Sequence, residues 1–244
     1  MSQPGRTLLK VQGLTKRFGG LVAVNNMTFD VHEHEVMGII GPNGSGKTTT
    51  MNMISGAFAP SSGSITMNGQ RLSGLPAHKI AHQGVSRTFQ LVRVLPGLSL
   101  IDNVVAGAAF GHRRRWGSDA EHFARGLLER IGLGEHIHLP VNSLTYIDQK
   151  RLELARALAS EPEVLLLDEW LAGLNPTELQ EGIDLIAELR REGRTIILVE
   201  HVMDAIRSLC DRCVVMNSGT KIAEGTPADV LSDPEVIRAY LGDE

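Results

Sequence analysis

Residues 41–49 read GPNGSGKTT, and Gly41, Gly46, Lys47 and Thr48 fill the spacing of glycine, four residues, then Gly-Lys-Ser/Thr. The pattern follows an apolar run, Val36 to Ile40, and precedes a helix-compatible segment, Thr48 to Ser55. Strand, glycine-rich turn and helix are the context that a phosphate-binding loop requires. Glycines at 41, 44 and 46 let the backbone curl and turn its N–H groups inward, with Pro42, Asn43 and Ser45 between them. The helix N-terminus beyond Lys47 adds partial positive charge. Lys47 has the reach for β- and γ-phosphates, and the Thr48 hydroxyl is a Mg²⁺ ligand type, with Thr49 beside it. The implied ligand is a nucleoside triphosphate. The bland alternative is a glycine turn with no ligand.

Two further apolar runs end in polar residues. Val164 to Leu167 leads into Asp168-Glu169, and Thr195 to Val199 leads into Glu200-His201. Buried parallel strands read as unbroken apolar runs. In open α/β sheets the ligand lies beyond the carboxyl ends of such strands. The expectation is that Lys47, Asp168, Glu169 and His201 surround one site. Asp168 is placed to hold Mg²⁺ through water, and Glu169 to orient or deprotonate an attacking water. Gln90, at the end of a strand expected over Val85 to Phe89, is a candidate for the metal or that water. His201 is a candidate for the γ-phosphate. Taken singly, each is also a solvated strand end; together they point to ATP hydrolysis.

Several elements must position these groups. Leu8–Val11, Val22–Val24 and Met27–Val31 read as short strands, with 14–20 as a turn carrying Phe18 and Asn25-Asn26 as another. Phe18 has two readings, core aromatic or stacking surface for a base. Ile65–Met67 with Asn68-Gly69 reads as a hairpin, and Pro76–Gln83 as a short helix. Helical patterns then run over 100–110 and 120–131, joined by Gly111 to Gly117 with three consecutive arginines. That run reads as a solvated loop or as a contact for an acidic lipid or protein. An amphipathic helix is expected over Asp148–Ala159, and a long one over Pro176–Arg191. A hairpin around Asn217-Ser218-Gly219 and a broken helix over Pro227–Tyr240 complete the chain. Cys210 and Cys213 have C-x-x-C spacing but no second ligand pair, so they read as buried side chains at a helix–strand junction.

With 244 residues, 42% hydrophobic and 21% charged, the chain has the balance of a globular protein. Its net charge of −4 provides no basic field for nucleic acid. No apolar run approaches the roughly 20 residues of a membrane span. The opening MSQPGRTLLK lacks a signal-peptide core, so the expected location is intracellular.

In sequence order, these residues resemble the ATP-binding subunit of ABC transporters over essentially the whole chain. The matches are GPNGSGKTT at 41–49, Ser86-Arg87-Thr88-Phe89-Gln90 as the Q-loop, and Leu144 to Gln149 with its following helix as the signature. Val164 to Glu169 match the Walker B strand, Ala172 to Asn175 the D-loop, and His201 the switch histidine. TFQLVRVLPGLSLIDNV, LAGLNPTE, ILVEHVMDAI and GTPADVLSDPEVIRAYLG are similar to branched-chain amino-acid importers and their amide or urea relatives. The resemblance implies an α/β fold. Its P-loop ATPase core has a RecA-like, mostly parallel sheet and an N-terminal antiparallel β subdomain. It implies one ABC ATPase domain over 1–244, with core 1–90 and 156–244 and an inserted helical subdomain at 91–155. It places Phe18 against adenine, and Thr145, Ile147 and Gln149 against the nucleotide of a second ABC ATPase subunit, identical or not. ATP and Mg²⁺ are the implied ligands. Transmembrane permease subunits are the implied partners, an external solute-binding protein an indirect one, and the cytoplasmic membrane face the implied location.

Two positions depart from the family pattern. The signature reads Leu144-Thr145-Tyr146-Ile147-Asp148-Gln149, with Ile147 where a glycine is usual. A β-branched residue resists φ > 0. Losing one donor to a phosphate would cost about 2.7–4 kcal/mol, by analogy with oxyanion holes. Trp170 stands where proline is usual, which is expected to shift Glu169 or fill a gap at the dimer face. Weakened hydrolysis is therefore expected, with ordinary activity as the bland alternative. A mostly non-hydrolysing subunit paired with an active one is a competing function. An ABC ATPase of DNA or ribosomes is another, disfavoured by the single module and acidic balance.

Overall fold

The computed structural model describes residues 5–241. Strands β1 (Thr7–Phe18) and β2 (Leu21–His32) form a long antiparallel pair. They lead into β3 (Val36–Ile40), and helix α1 (Lys47–Ile54) follows the glycine loop. Strands β4 (Ser62–Met67) and β5 (Gln70–Arg71) pair around Asn68-Gly69, where both residues have positive φ, 50° and 77°. Next come α2 (Ala77–His82), β6 (Val85–Arg87), α3 (Leu100–Phe110) and α4 (Gly117–Arg130). Two 3₁₀ turns then precede α5 (Tyr146–Ala159). The second half alternates β7 (Val164–Asp168), α6 (Pro176–Arg191), β8 (Thr195–Val199), α7 (Met203–Leu209) and β9 (Arg212–Asn217). It ends in β10 (Thr220–Gly225), α8 (Pro227–Ser232) and α9 (Pro234–Leu241).

One sheet, ordered β2-β1-β4-β5, is wholly antiparallel. The other, β10-β9-β3-β8-β7-β6, is parallel except for β10. The apolar strands β3, β7 and β8 are buried along their whole length, as their continuous hydrophobicity demands. Their side chains alternate between two cores. Met37, Ile39, Leu166 and Val199 join the antiparallel sheet's core. Val36, Ile40, Leu167 and Leu198 join the core under α5, α6 and α7. A third core lies among α3, α4 and α5. Helix α5 belongs to both helical cores: Leu152, Ala155 and Ala159 face one, and Leu154, Ala157 and Leu158 the other.

Three local expectations change. Residues 14–18 are strand, not turn: β1 continues past Gly13 through an irregular register facing Asn26, with φ 58° and 52°. Such a bulge breaks the alternation by which a strand is read. Asn25 and Asn26 lie within β2 rather than ending it. And α5 begins at Tyr146, capped by Thr145, whose hydroxyl accepts the Asp148 N–H at 3.3 Å. Ile147 is therefore in a helical first turn and has no positive φ. Its side chain is buried within its own chain at 9% exposure. The strain expected at this position does not arise.

Candidate functional site: a cleft at the strand ends

The glycine loop closes over its own lysine. Lys47 Nζ donates to the carbonyls of Gly41 (2.8 Å) and Pro42 (3.0 Å). Burial pushes its pKa down, against the pull of Glu169 and Asp168. A Cβ on Gly41 would lie 2.1 Å from the Met216 carbonyl oxygen, so only glycine lets β3 turn here beside β9. Gly44, by contrast, has φ 78° and open space where a side chain would point. That space belongs to a cleft of about 880 Å³. Its lining includes Asn43, Gly44, Gly46, Lys47, Thr48 and Thr49 from the loop. Gln90, Glu169 and His201 line it from three strand ends. Of the four residues expected around one site, Lys47, Glu169 and His201 line this cleft and Asp168 does not.

Glu169 is the centre of that wall. Gln90 Nε2 donates to its Oε2 at 2.6 Å, and His201 Nε2 hydrogen-bonds its Oε1 at 2.9 Å. Its backbone N–H still donates to the Val199 carbonyl at 2.8 Å, while its φ is 49°. A non-glycine residue held left-handed costs roughly 1–3 kcal/mol and occurs preferentially at functional sites. Asp168 lies behind Glu169, 1% exposed, and accepts from Arg87 at 2.6 Å. Burial pushes the Asp168 carboxyl up, and Arg87 opposes that shift. Its Oδ1 is buried without a partner.

Other residues are placed less simply. Phe18 is not core: it is 43% exposed, edge-on to Phe58 at 5.5 Å, with the Lys16 ammonium 5.1 Å from its ring. It lies outside the cleft lining, although Leu21, Val22 and Ala23, just past the Gly19-Gly20 turn, are part of it. Thr145, Ile147 and Gln149 do not line the cleft either. Trp170 is 1% exposed, inside the core with its indole N–H donating to the Lys150 carbonyl at 3.2 Å, and so fills no outer surface. Cys210 and Cys213 are free and buried. The Sγ atoms lie 3.0 and 2.9 Å from where a Gly38 Cβ would be. Sequence reasoning missed Arg87 as the partner of Asp168, and missed the Ser218-Gly219 wall. Gly219 ties the glycine loop to β2: its N–H donates to the Ser45 carbonyl (3.0 Å) and its carbonyl accepts from Asn25 (2.7 Å). The turn was visible in the sequence; its position against the loop follows from β9 lying next to β3.

Glu200, beside His201, is fully buried, and its Oε1 accepts the Leu171 N–H at 2.7 Å. Burial raises its pKa from 4.5 to about 7. The folded state then holds a proton that the unfolded state has released, so stability falls as pH rises from about 4.5 to 7. The full effect is about 3 kcal/mol. Glu200→Gln keeps an acceptor for Leu171 and is expected to flatten that decline. Thermal unfolding midpoints across pH 5 to 8, wild type against variant, measure it; parallel curves exclude it.

A phosphate loop under a cleft walled by strand-end acid, amide and imidazole groups defines an ATP-binding cassette ATPase. A model of the ABC transporter family matches residues 24–172, and one for the branched-chain amino acid ATP-binding cassette transporter matches 220–244. The high-affinity branched-chain amino acid transport ATP-binding protein LivG of Escherichia coli K12 is 46% identical over 257 residues, covering 100% of both chains. A crystallised ATP-binding cassette of an ABC transporter, in its ADP conformation, superposes with TM-score 0.87 at 27% identity, covering 97% of this chain and 99% of that one. A dimeric cassette in a post-hydrolysis state with ADP and Pi gives TM-score 0.81 at 24% identity, over 90% and 99%, and so shares the fold. The chain belongs to the ABC transporter family, among the ATP-binding proteins of branched-chain amino acid transport. It is a transport ATPase. Among the described residues, no helix is long and apolar enough to cross a membrane.

Proposed function

We propose that this chain hydrolyses ATP at the cytoplasmic face of a membrane to drive import of branched-chain amino acids or close analogues through a permease. The observation that carries the reading is the Gln90–Glu169–His201 cluster facing the phosphate loop across one cleft. In it, Lys47 leaves its loop carbonyls for the phosphates, and the loop N–H groups receive their charge. Glu169 takes the proton of the attacking water, while Gln90 and His201 hold its carboxylate and contact the water and γ-phosphate. Mg²⁺ fits the residues present: Thr48 lines the cleft, and the partnerless Oδ1 of Asp168 is a buried acceptor. When bound, Mg²⁺ supplies charge neutralisation between phosphates. Thr48, Asp168 and Gln90 would hold it, directly or through water. Phe18, just before the cleft's Leu21–Ala23 edge, is assigned to the base.

Thr145, Ile147 and Gln149 stand apart from their own cleft, which supports a role in a second subunit's site, as in the dimeric cassette. The helical first turn supports signature function despite Ile147. The Tyr146 and Ile147 N–H groups there have no intrahelical acceptor, and an isoleucine at αR presents its own as glycine does. The test is ATP hydrolysis by the chain assembled with its permease in vesicles. Branched-chain amino acids, delivered by their binding protein, are expected to stimulate it several-fold, and Ile147→Gly to change it less than about threefold. Failure to associate with any permease, or stimulation by other solutes alone, sinks the reading; a gain of about 10²-fold from Ile147→Gly restores the idea of an attenuated site.

A further inference from the structure

Helix α5 carries two buried charges three residues apart, Lys150 and Glu153, each 1% exposed. Both are committed to backbone groups, each to those of a different loop. Lys150 Nζ donates to the carbonyls of Trp170 (2.8 Å), Ala172 (2.8 Å) and Glu169 (3.4 Å). Those three carbonyls form the turn that follows the left-handed Glu169. An ammonium has three donors, and all three are used here. Trp170 answers by donating its indole N–H to the Lys150 carbonyl. Glu153 Oε1 accepts from Arg93 N–H (2.9 Å), and Oε2 from Phe89 N–H (3.3 Å). These two amides flank Gln90, which itself donates to Glu169.

Packing alone does not call for this arrangement. Burying charge is costly, and an apolar pair of similar volume is often as stable. The charges supply a rigid two-way connection from one helix to two loops that also meet at the Gln90–Glu169 contact. The same helix begins at the capped Thr145.

We infer that Lys150 and Glu153 are positioning residues: they fasten the Glu169 turn and the Gln90 loop to the Thr145 end of α5, so that a shift of this helix moves both groups together. The inference rests on the reading of Glu169 and Gln90 as the groups that act on water. It links the signature, engaged by a second subunit's nucleotide, to hydrolysis in its own subunit's cleft. Neither side chain touches the cleft, so the nucleotide itself should not sense their loss.

The experiment compares full-length wild type, Lys150→Met, Lys150→Gln, Glu153→Gln and, as control, Glu169→Gln. Steady-state hydrolysis, ADP binding by calorimetry and thermal unfolding are measured on each. Lys150→Met is expected to lower kcat by about 10- to 100-fold, the scale of a small misplacement. KM for ATP and ADP affinity are expected to stay within about twofold, because the phosphate loop is untouched. Lys150→Gln, which keeps two N–H donors, is expected to recover part of kcat, and Glu153→Gln, which keeps an acceptor, to lose less than Lys150→Met. Wild-type kcat in Lys150→Met overturns the inference. So does a parallel loss of kcat, ADP affinity and unfolding temperature in both Lys150 variants, which marks a packing role. If Lys150→Met does not fold, a wild-type kcat in Lys150→Gln together with Glu153→Gln overturns it. If Glu169→Gln itself turns over normally, the assignment of Glu169 fails and the positioning role with it.

Discussion

Glu169→Gln is expected to bind ATP and scarcely hydrolyse it. The carboxylate is the anionic acceptor on which the wall of the cleft converges: Gln90 donates to one of its oxygens and His201 to the other, which ties up that imidazole nitrogen. An amide has nearly the same volume and can still accept from one of them, so the wall should stand. What it cannot do is take a proton from water. Removing a general base at this kind of site costs about 10²–10⁴ in rate. On the proposed reading, nucleotide affinity rests elsewhere, on Lys47, the loop N–H groups and the cleft's Leu21–Ala23 edge. Single-turnover hydrolysis and equilibrium binding of labelled ATP, measured side by side, separate the two effects. Turnover within about fivefold of wild type would mean that water is activated without Glu169. His201→Ala then becomes the informative variant, because His201 is the other group that faces both Glu169 and the cleft.

Much of this site is legible in the sequence. The loop spacing and three apolar runs ending in polar residues name Lys47, Asp168, Glu169 and His201 and imply that they converge; Lys47, Glu169 and His201 line one cleft, with Asp168 buried outside its lining. That inference works because a parallel sheet presents all its carboxyl ends at one edge. What stayed hidden depended on contacts between distant segments. Arg87 and Asp168 are 81 residues apart, and nothing local marks either as the other's partner. The Gly219 turn reaches the loop only through the strand order β9-β3. The β1–β2 pair was misread where the Gly13 bulge interrupts the alternation. The start of α5 was readable in principle: Thr145-x-x-Asp148 is a capping pattern, and its recognition would have removed the expectation of strain at Ile147.

Trp170→Pro is expected to destabilise the protein and lower its activity, although proline matches the family pattern. From the sequence, the indole is expected to shift Glu169 or to fill a gap at the dimer face. In the structure it covers no outer surface. The ring is in the core under α5 and α6, and its N–H is satisfied by the Lys150 carbonyl. On α6, position 182 is glycine, and a Cβ there would stand 3.1 Å from the Trp170 ring and 2.6 Å from Leu171. The tryptophan and the missing side chain are two parts of one packing solution. Truncating a buried tryptophan costs about 3–5 kcal/mol. A proline adds a second problem, since it favours extended conformations in the residue before it, and that residue is Glu169 at φ 49°. Chemical denaturation should show the loss in midpoint. A double-mutant cycle with Gly182→Ala should then show coupling, because a methyl that overpacks against the indole has room once the ring is gone. A proline variant as stable and as active as wild type would mean that the core closes without the ring, and that Glu169 holds its place independently of Trp170.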